Sequence, residues 1–315
     1  MTVLVVGASG VVGRQLVPQL VAAGHPVVAT YRSHPPATLP DGAVARQLDL
    51  LDASATSRLV AAVEPEAIVH LATALSGLGN NLRRFDAAFA VTNRLRTVGT
   101  AVLASAGRAA RTPRLIVQSF CGWPWAPTGG PVKTESDRLD PDPPSAFRRT
   151  FAALVELERL VCGYPGGVAL RFGGLYGPGT SLGVGGAQTE AVRRGWLPLV
   201  GDAGGVWSLL HAADAASAAV AALHRGNGIF NIVDDHPAPV AEWLPELARL
   251  VGGPPPRRVP VWMGRLVGGD GLVRLMTQVR GSSNAKAFAE LGWRPAWSSW
   301  RAGFAADLGV PQPGR

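Results

Sequence analysis

Hydrophobic and polar positions along this chain alternate between two patterns. Short runs at residues 3–6, 26–31, 45–50, 67–71, 115–119, 168–172 and 229–233 read as strands, while 14–23, 53–63, 85–106 and 146–161 carry helical periodicity. A run such as Val3-Leu4-Val5-Val6 has no polar face and suits a strand buried on both sides. Strand and helix in regular alternation predict an α/β, doubly wound, mostly parallel sheet with helices on both faces. Loops are predicted at the Pro-rich residues 33–41, across 121–144, and along the glycine-rich run 173–186, which can fold over a ligand. The C-terminal third is mainly helical with a break at residues 252–256, and its tryptophans at 293, 297 and 300, at helical spacing, read as packing of a C-terminal lobe.

The first strand-to-helix junction carries the most specific signal. Gly7-Ala8-Ser9-Gly10-Val11-Val12-Gly13 follows the run 3–6 and opens the first helix. Gly7 permits the tight turn out of the strand, Gly10 lets the backbone approach a pyrophosphate, and Gly13 lets the helix pack closely on the strand. The free N–H groups of the helix start face the same place, so Ser9, Val11 and Val12 belong to the phosphate site with the three glycines. A second strand after Gly24 completes the strand-helix-strand unit that a dinucleotide turn demands.

Composition narrows the classes. The 315 residues are 47% hydrophobic and 17% charged, which fits a globular protein with a large core. No apolar stretch approaches the ~20 residues of a membrane span. The first core strand begins at residue 3, so a cytoplasmic protein with no membrane partner is expected. The net charge of +8 invites a nucleic-acid partner, yet the basic residues lie in ones and twos without a stripe, so none is expected. Cys121 and Cys162 are too few for a disulfide scaffold and lack metal-like spacing, and no metal site is expected.

Further signals stand in order along the chain. Asp49-Leu50 follows the third strand, His70-Leu71-Ala72 ends the fourth, Asn93 lies in the long helix, and Thr134-Glu135 in the middle loop. Arg171-Phe172-Gly173-Gly174-Leu175-Tyr176-Gly177-Pro178-Gly179 comes next, then His211 with Asp214, Asn284-Ala285-Lys286-Ala287, and Leu291-Gly292-Trp293-Arg294-Pro295. With the phosphate turn, this series resembles the extended short-chain dehydrogenase/reductase superfamily, the nicotinamide-dependent epimerases and dehydratases. The resemblance runs nearly end to end. It implies a Rossmann-type domain over residues 1–172, rejoined by 208–235, and a smaller substrate lobe from 173–207 and 236–315. It also implies that Asp49 and Leu50 border the adenine, that Leu71, Ala72 and Thr73 bring backbone against the cofactor, and that Asn93 and Ser119 belong to the same site. A small-molecule substrate would lie at the strand C-termini, and two copies would pair through the long helices.

Cofactor choice is read at the end of the second strand. An acidic residue there would accept from a ribose 2′-hydroxyl, whereas an arginine would pair with a 2′-phosphate. The strand ends Thr30-Tyr31-Arg32-Ser33, so Arg32 and Ser33, helped by Arg14, favour NADP(H) over NAD(H).

The resemblance breaks at the catalytic pair. Members use a Tyr as proton donor and a Lys four residues later that lowers its pKa and holds the nicotinamide ribose, because hydride transfer at a carbonyl carbon needs proton transfer at its oxygen. Aligned through Glu158, those positions are Thr150 and Leu154, and in a shifted register Phe147 and Phe151; the helix has neither Tyr nor Lys, and Phe120-Cys121-Gly122-Trp123 follows Ser119 in place of a Ser-rich stretch. The chain holds only three tyrosines and two lysines, none of them on this helix. Three readings compete: a redox enzyme in which Ser119, Cys121 or Tyr176 delivers the proton and Arg148 replaces the lysine charge; a non-redox isomerase, lyase or cyclase on the same scaffold; and a cofactor sensor without turnover. The Trp- and Pro-rich segment 123–144, with few cations besides Lys133 and Arg138, leans toward a small molecule less charged than a diphosphate sugar.

Overall fold

The structure, a computed structural model, describes residues 1–36, 38–75 and 82–309. Seven strands form its main sheet: β1 (Val3–Val6), β2 (Val27–Tyr31), β3 (Ala43–Gln47), β4 (Ala67–His70), β5 (Arg114–Phe120), β6 (Gly167–Phe172) and β7 (Gly228–Ile232). Their spatial order is β7-β6-β5-β4-β1-β2-β3, and every neighbouring pair is parallel. Chain direction across the sheet reverses between β1 and β4, which opens a crevice at their C-terminal ends.

Alternate residues of each strand feed two cores. On one face Val3, Val5, Ile116 and Leu170 pack against Leu16 and Leu20 of α1 (Val11–Ala22) and against Ala215 and Ala219, which lie on a later helix, Ala212–Ala221. On the other, Leu4, Val6, Leu115 and Val117 meet α2 (Ala53–Val63), α3 (Thr100–Ala109) and α4 (Arg148–Cys162) through Val60, Leu103 and Leu157. The alanine-rich helix Ala212–Ala221, here α5, can therefore lie close against α1.

Three expectations need correction. Strand β3 ends at Gln47, earlier than the run 45–50, because Leu48 and Leu50 are buried beyond the ladder and mimic strand positions. The stretch 85–106 is not one helix. It is broken into Phe85–Ala88, Ala90–Arg94, a wide turn at Leu95–Gly99 and α3, and the wide turn seats Gly99 against Leu50, where a Cβ would come within 2.7 Å of Leu50 Cδ2. The tryptophans at 293, 297 and 300 share helical spacing without sharing a helix. Trp293 packs on the sheet core and donates from Nε1 to Ser217 Oγ, whereas Trp300 opens the last helix of the second lobe.

That lobe has its own core. Tyr176, Leu199 and Val200 pack with α6 (Val240–Leu250), α7 (Val261–Thr277) and α8 (Trp300–Leu308) through Trp243, Leu247, Val273 and Phe304. Two buried carboxylates fasten it to the sheet domain: Asp214 accepts the N–H groups of Ala296 and Trp297, and Asp234 accepts those of His236 and Trp300.

Candidate functional site

Gly7 leaves β1 with φ of +92°, and a Cβ there would lie 2.7 Å from the Ala72 backbone nitrogen. The turn and the chain just past β4 thus touch backbone to backbone. At Gly13 a Cβ would lie 2.4 Å from Gly7 O, so only glycine admits this packing of α1 on the turn. Gly10 differs: its Cβ would meet only Gly7 O, at 3.2 Å, leaving an open side. It is also the N-cap of α1 and supplies no side-chain acceptor, so the first-turn N–H groups are left for an anion. A diphosphate fits this cradle.

The neighbouring expected residues surround the same crevice. Leu71 is buried and its N–H donates to Val6 O, Ala72 and Thr73 are half-buried, and Ser9 and Val11 border Gly10. Arg32 and Ser33 are exposed just past β2, with the Arg32 carbonyl held by Gln47 Nε2. Asp49 stays at the surface, its Oδ1 accepting the Leu51 N–H, and Leu50 lies buried beneath Gly99. Arg14 reaches the glycine-rich loop, since a Cβ at Gly179 would lie 2.7 Å from Arg14 Nη2. This brings the loop of residues 177–186 against the start of α1.

His70 ends β4 with both ring nitrogens engaged. Nδ1 accepts the Ala72 N–H and Nε2–H donates to Leu95 O, which fixes the neutral tautomer. Burial pushes its pKa down to about 4, and the Arg96 charge adds to that. His70 therefore holds backbone in place and carries no proton to substrate.

None of the three proton donors expected from sequence is free for that role. Ser119 Oγ donates to Glu158 Oε1 at 2.7 Å, inside a buried set where Arg171 grips the same carboxylate with two donors. Cys121 is buried, its Sγ donates to Arg171 O, and burial pushes the thiol up to about 12. Tyr176 has no exposed surface; its ring packs edge-on against His211 and Phe304 in the second lobe, and burial raises its pKa further. Arg148 is held at the surface by Asp142, 2.8 Å away, and so does not replace the lost lysine.

Aromatic side chains gather around the start of α4. Phe85 stacks on Phe89 at 4.2 Å and leans on Phe147 at 4.4 Å, Trp123 lies 5.2 Å from Phe147 and 6.3 Å from Phe151, and Phe120 completes the group at 6.4 Å from Trp123. Phe147 and Leu154 are its buried floor, while Phe85, Phe120 and Phe151 are only partly covered. The start of α4 is fixed from a distance: Asp86 accepts the N–H groups of Arg149 and Thr150 and the Thr150 hydroxyl. Thr150 Oγ1 also accepts from Asn93 Nδ2 at 3.1 Å. Thr150 thereby holds the start of α4, and Asn93, expected in the cofactor site, donates across to the Thr150 hydroxyl. The aromatic group was missed in the sequence because its members come from three separate segments; the density of Phe and Trp at 85–89, 120–123 and 147–151 was the signal that could have found it.

The sequence pattern of the NAD dependent epimerase/dehydratase family matches residues 3–232. A 3-diazoavenalumate denitrifying reductase from Streptomyces sp is 43% identical over 98% of this chain and 100% of its own length. A 2′-dehydrokanamycin reductase from Streptomyces kanamyceticus is 32% identical over 80% of this chain and 67% of its own. Among solved structures, UDP-glucose 4-epimerase from Thermotoga maritima superposes with a TM-score of 0.75 at 22% identity, covering 98% of this chain and 97% of that one. The NAD complex of the Thermus thermophilus UDP-glucose 4-epimerase gives 0.74 at 24% identity, covering 98% of both. The chain belongs to the NAD dependent epimerase/dehydratase family and is a nicotinamide-binding enzyme of oxidoreductase or epimerase type that acts on a small molecule.

Proposed function

We propose that this protein is an NADPH-dependent reductase of an aryl diazo or diazonium compound, which it converts to the arene with loss of N2. The observation that carries the reading is the aromatic corner between β5 and α4: Phe120, Trp123, Phe147 and Phe151 stand around a helix that offers neither a Tyr nor a Lys. Reduction of a ketone leaves an alkoxide that must be protonated, so it needs an acid of suitable pKa beside the oxygen. A diazonium group makes no such demand. A bound NADPH would supply hydride chemistry here: the C–H bond would form at the ring carbon as the C–N bond breaks, and the C–N electron pair would leave with N2. Charge balances without a proton, as one cationic diazonium and one hydride yield two neutral products. Aromatic faces would both stack on a planar ring and favour its positive charge. The 43% identical reductase, named for a diazo substrate and for denitrification, supports the same reading.

For the cofactor, Arg32 and Ser33, exposed past β2, favour a 2′-phosphate. The test combines both points. With 4-hydroxybenzenediazonium and NADPH deuterated at C4, the expected outcome is loss of nicotinamide absorbance matched by N2 release, with deuterium at the ring carbon that lost nitrogen. NADH should bind at least ~10-fold more weakly, a difference of ~1.4 kcal/mol. Conversion that leaves NADPH unconsumed, or deuterium that appears only from solvent D2O, would falsify the hydride reading.

A further inference from the structure

Among the described residues three lysine or arginine side chains are buried, and one of them, Arg96, has no carboxylate. Lys133 holds Asp137 and Arg171 holds Glu158. Arg96 is 7% exposed, donates a long 3.4 Å hydrogen bond from Nη1 to Asn93 Oδ1, and lies 5.8 Å from the centre of the Phe89 ring. Burial lowers its pKa to about 10, so it keeps its charge at neutral pH. A charge taken out of water without a partner is costly, and such a group persists where a partner arrives.

Its neighbours place this charge. Asn93, which accepts from Arg96, donates in turn to Thr150 on the inner face of α4. Leu95, the preceding residue, accepts from His70 at the end of β4, and the chain past His70 is the one that touches the Gly7 turn. Arg96 is thus linked through Leu95 and His70 to the chain that touches the phosphate turn, and through Asn93 to α4, which carries neither Tyr nor Lys. We propose that the Arg96 guanidinium binds the nicotinamide half of the dinucleotide, donating to its diphosphate and ribose oxygens, and supplies the positive charge that no lysine of α4 provides. The proposal rests on the dinucleotide reading of the turn and adds the residue that completes it.

Kd values for NADPH, and for 2′,5′-ADP as the adenine half alone, measured with wild type, R96M and R96K, test it. R96M should weaken NADPH at least ~10-fold while changing 2′,5′-ADP less than ~2-fold, and R96K should recover part of the loss. The melting temperature of unliganded R96M should equal or exceed that of wild type, because an uncompensated buried charge has been removed. Should R96M fail to fold, R96Q carries the same comparison. An unchanged NADPH Kd, equal losses for both ligands, or a lower melting temperature with unchanged Kd overturns the assignment and makes Arg96 structural. Wild type that binds no dinucleotide overturns the reading of the turn as well, whereas wild type that binds normally beside an unaffected R96M overturns Arg96 alone.

Discussion

The two sides of the crevice differ in what their chemistry tolerates. At the β1–α1 turn, Gly7 and Gly13 sit where a Cβ would lie 2.4–2.9 Å from backbone atoms, so the geometry of an anion cradle admits no alternative residue. At the β5–α4 corner, Phe, Trp and Leu side chains pack against a helix that carries neither Tyr nor Lys, and that helix is still capped and packed. Binding a dinucleotide and moving a proton are therefore separable functions, carried by different segments. A site that binds a dinucleotide and has neither Tyr nor Lys on α4 would suit an acceptor whose displaced electrons leave with a group, as N2 does.

The comparison breaks most sharply at Gly13. Gly13→Val would drive a branched side chain into Gly7 O and the Ala8 backbone, and α1 could then pack only by shifting away from the turn. Cofactor affinity should fall at least ~100-fold, about 2.7 kcal/mol, in a titration of the folded variant. Retained affinity would mean that the turn does not hold the diphosphate.

Phe147→Ala sharpens the other side. The ring is fully buried among Phe85, Trp123 and the α7 backbone, and a Cβ at Gly271 would lie 2.7 Å from its Cζ. Removing it should cost about 3–5 kcal/mol in denaturant unfolding. The same variant should leave the Kd for NADPH within about threefold, because the turn lies on a separate segment. A matching loss of cofactor affinity would show that the two sides are not independent.

What the sequence disclosed follows the same division. β1 and the glycine turn were legible because a strand buried on both faces has no polar positions and because a left-handed turn needs glycine, both local facts. The aromatic corner was not, since Phe85, Trp123 and Phe147 meet only after the chain has folded. Asp86 likewise caps a helix some 60 residues away, a pairing that no local capping pattern reveals. The break at Leu95–Gly99 was hidden because one wide turn barely disturbs helical periodicity, and it is this turn that carries Arg96. Tyr176 read as a site residue because the resemblance sets its loop beside the substrate; the packing of Phe304 and His211 against it shows a core side chain.

A smaller effect comes from pH and concerns the contact between the two sides. His70 is neutral when folded, with its pKa pushed down to about 4 from 6.5. Between those values the unfolded chain takes up a proton that the folded one refuses, so this contribution is complete above pH 6.5 and is lost as pH falls toward 4. The full span is about 3 kcal/mol. Asp234, pushed up to about 8 by burial, has the opposite sign, since its folded form binds the proton more tightly and is favoured as pH falls below 8. Subtracting the stability profile of His70→Asn from that of wild type isolates the histidine, and the difference should shrink with acid below pH 6.5. A flat difference would mean that His70 accepts a proton in place.

The smallest expected effect bears on which chemistry the corner has lost. The Tyr176 hydroxyl is buried without a hydrogen-bond partner and lies beside Gly303, where a Cβ would meet it at 2.2 Å. Tyr176→Phe removes a desolvated polar group and leaves the ring edge-on against Phe304, so stability should be unchanged or rise by up to ~1 kcal/mol. Turnover should stay within about twofold, since a group outside the crevice contributes none of the ~10²-fold or more that a general acid supplies. A hundredfold loss of kcat in this variant, with NADPH affinity and melting temperature intact, would restore Tyr176 as the proton donor and return the reaction to carbonyl reduction.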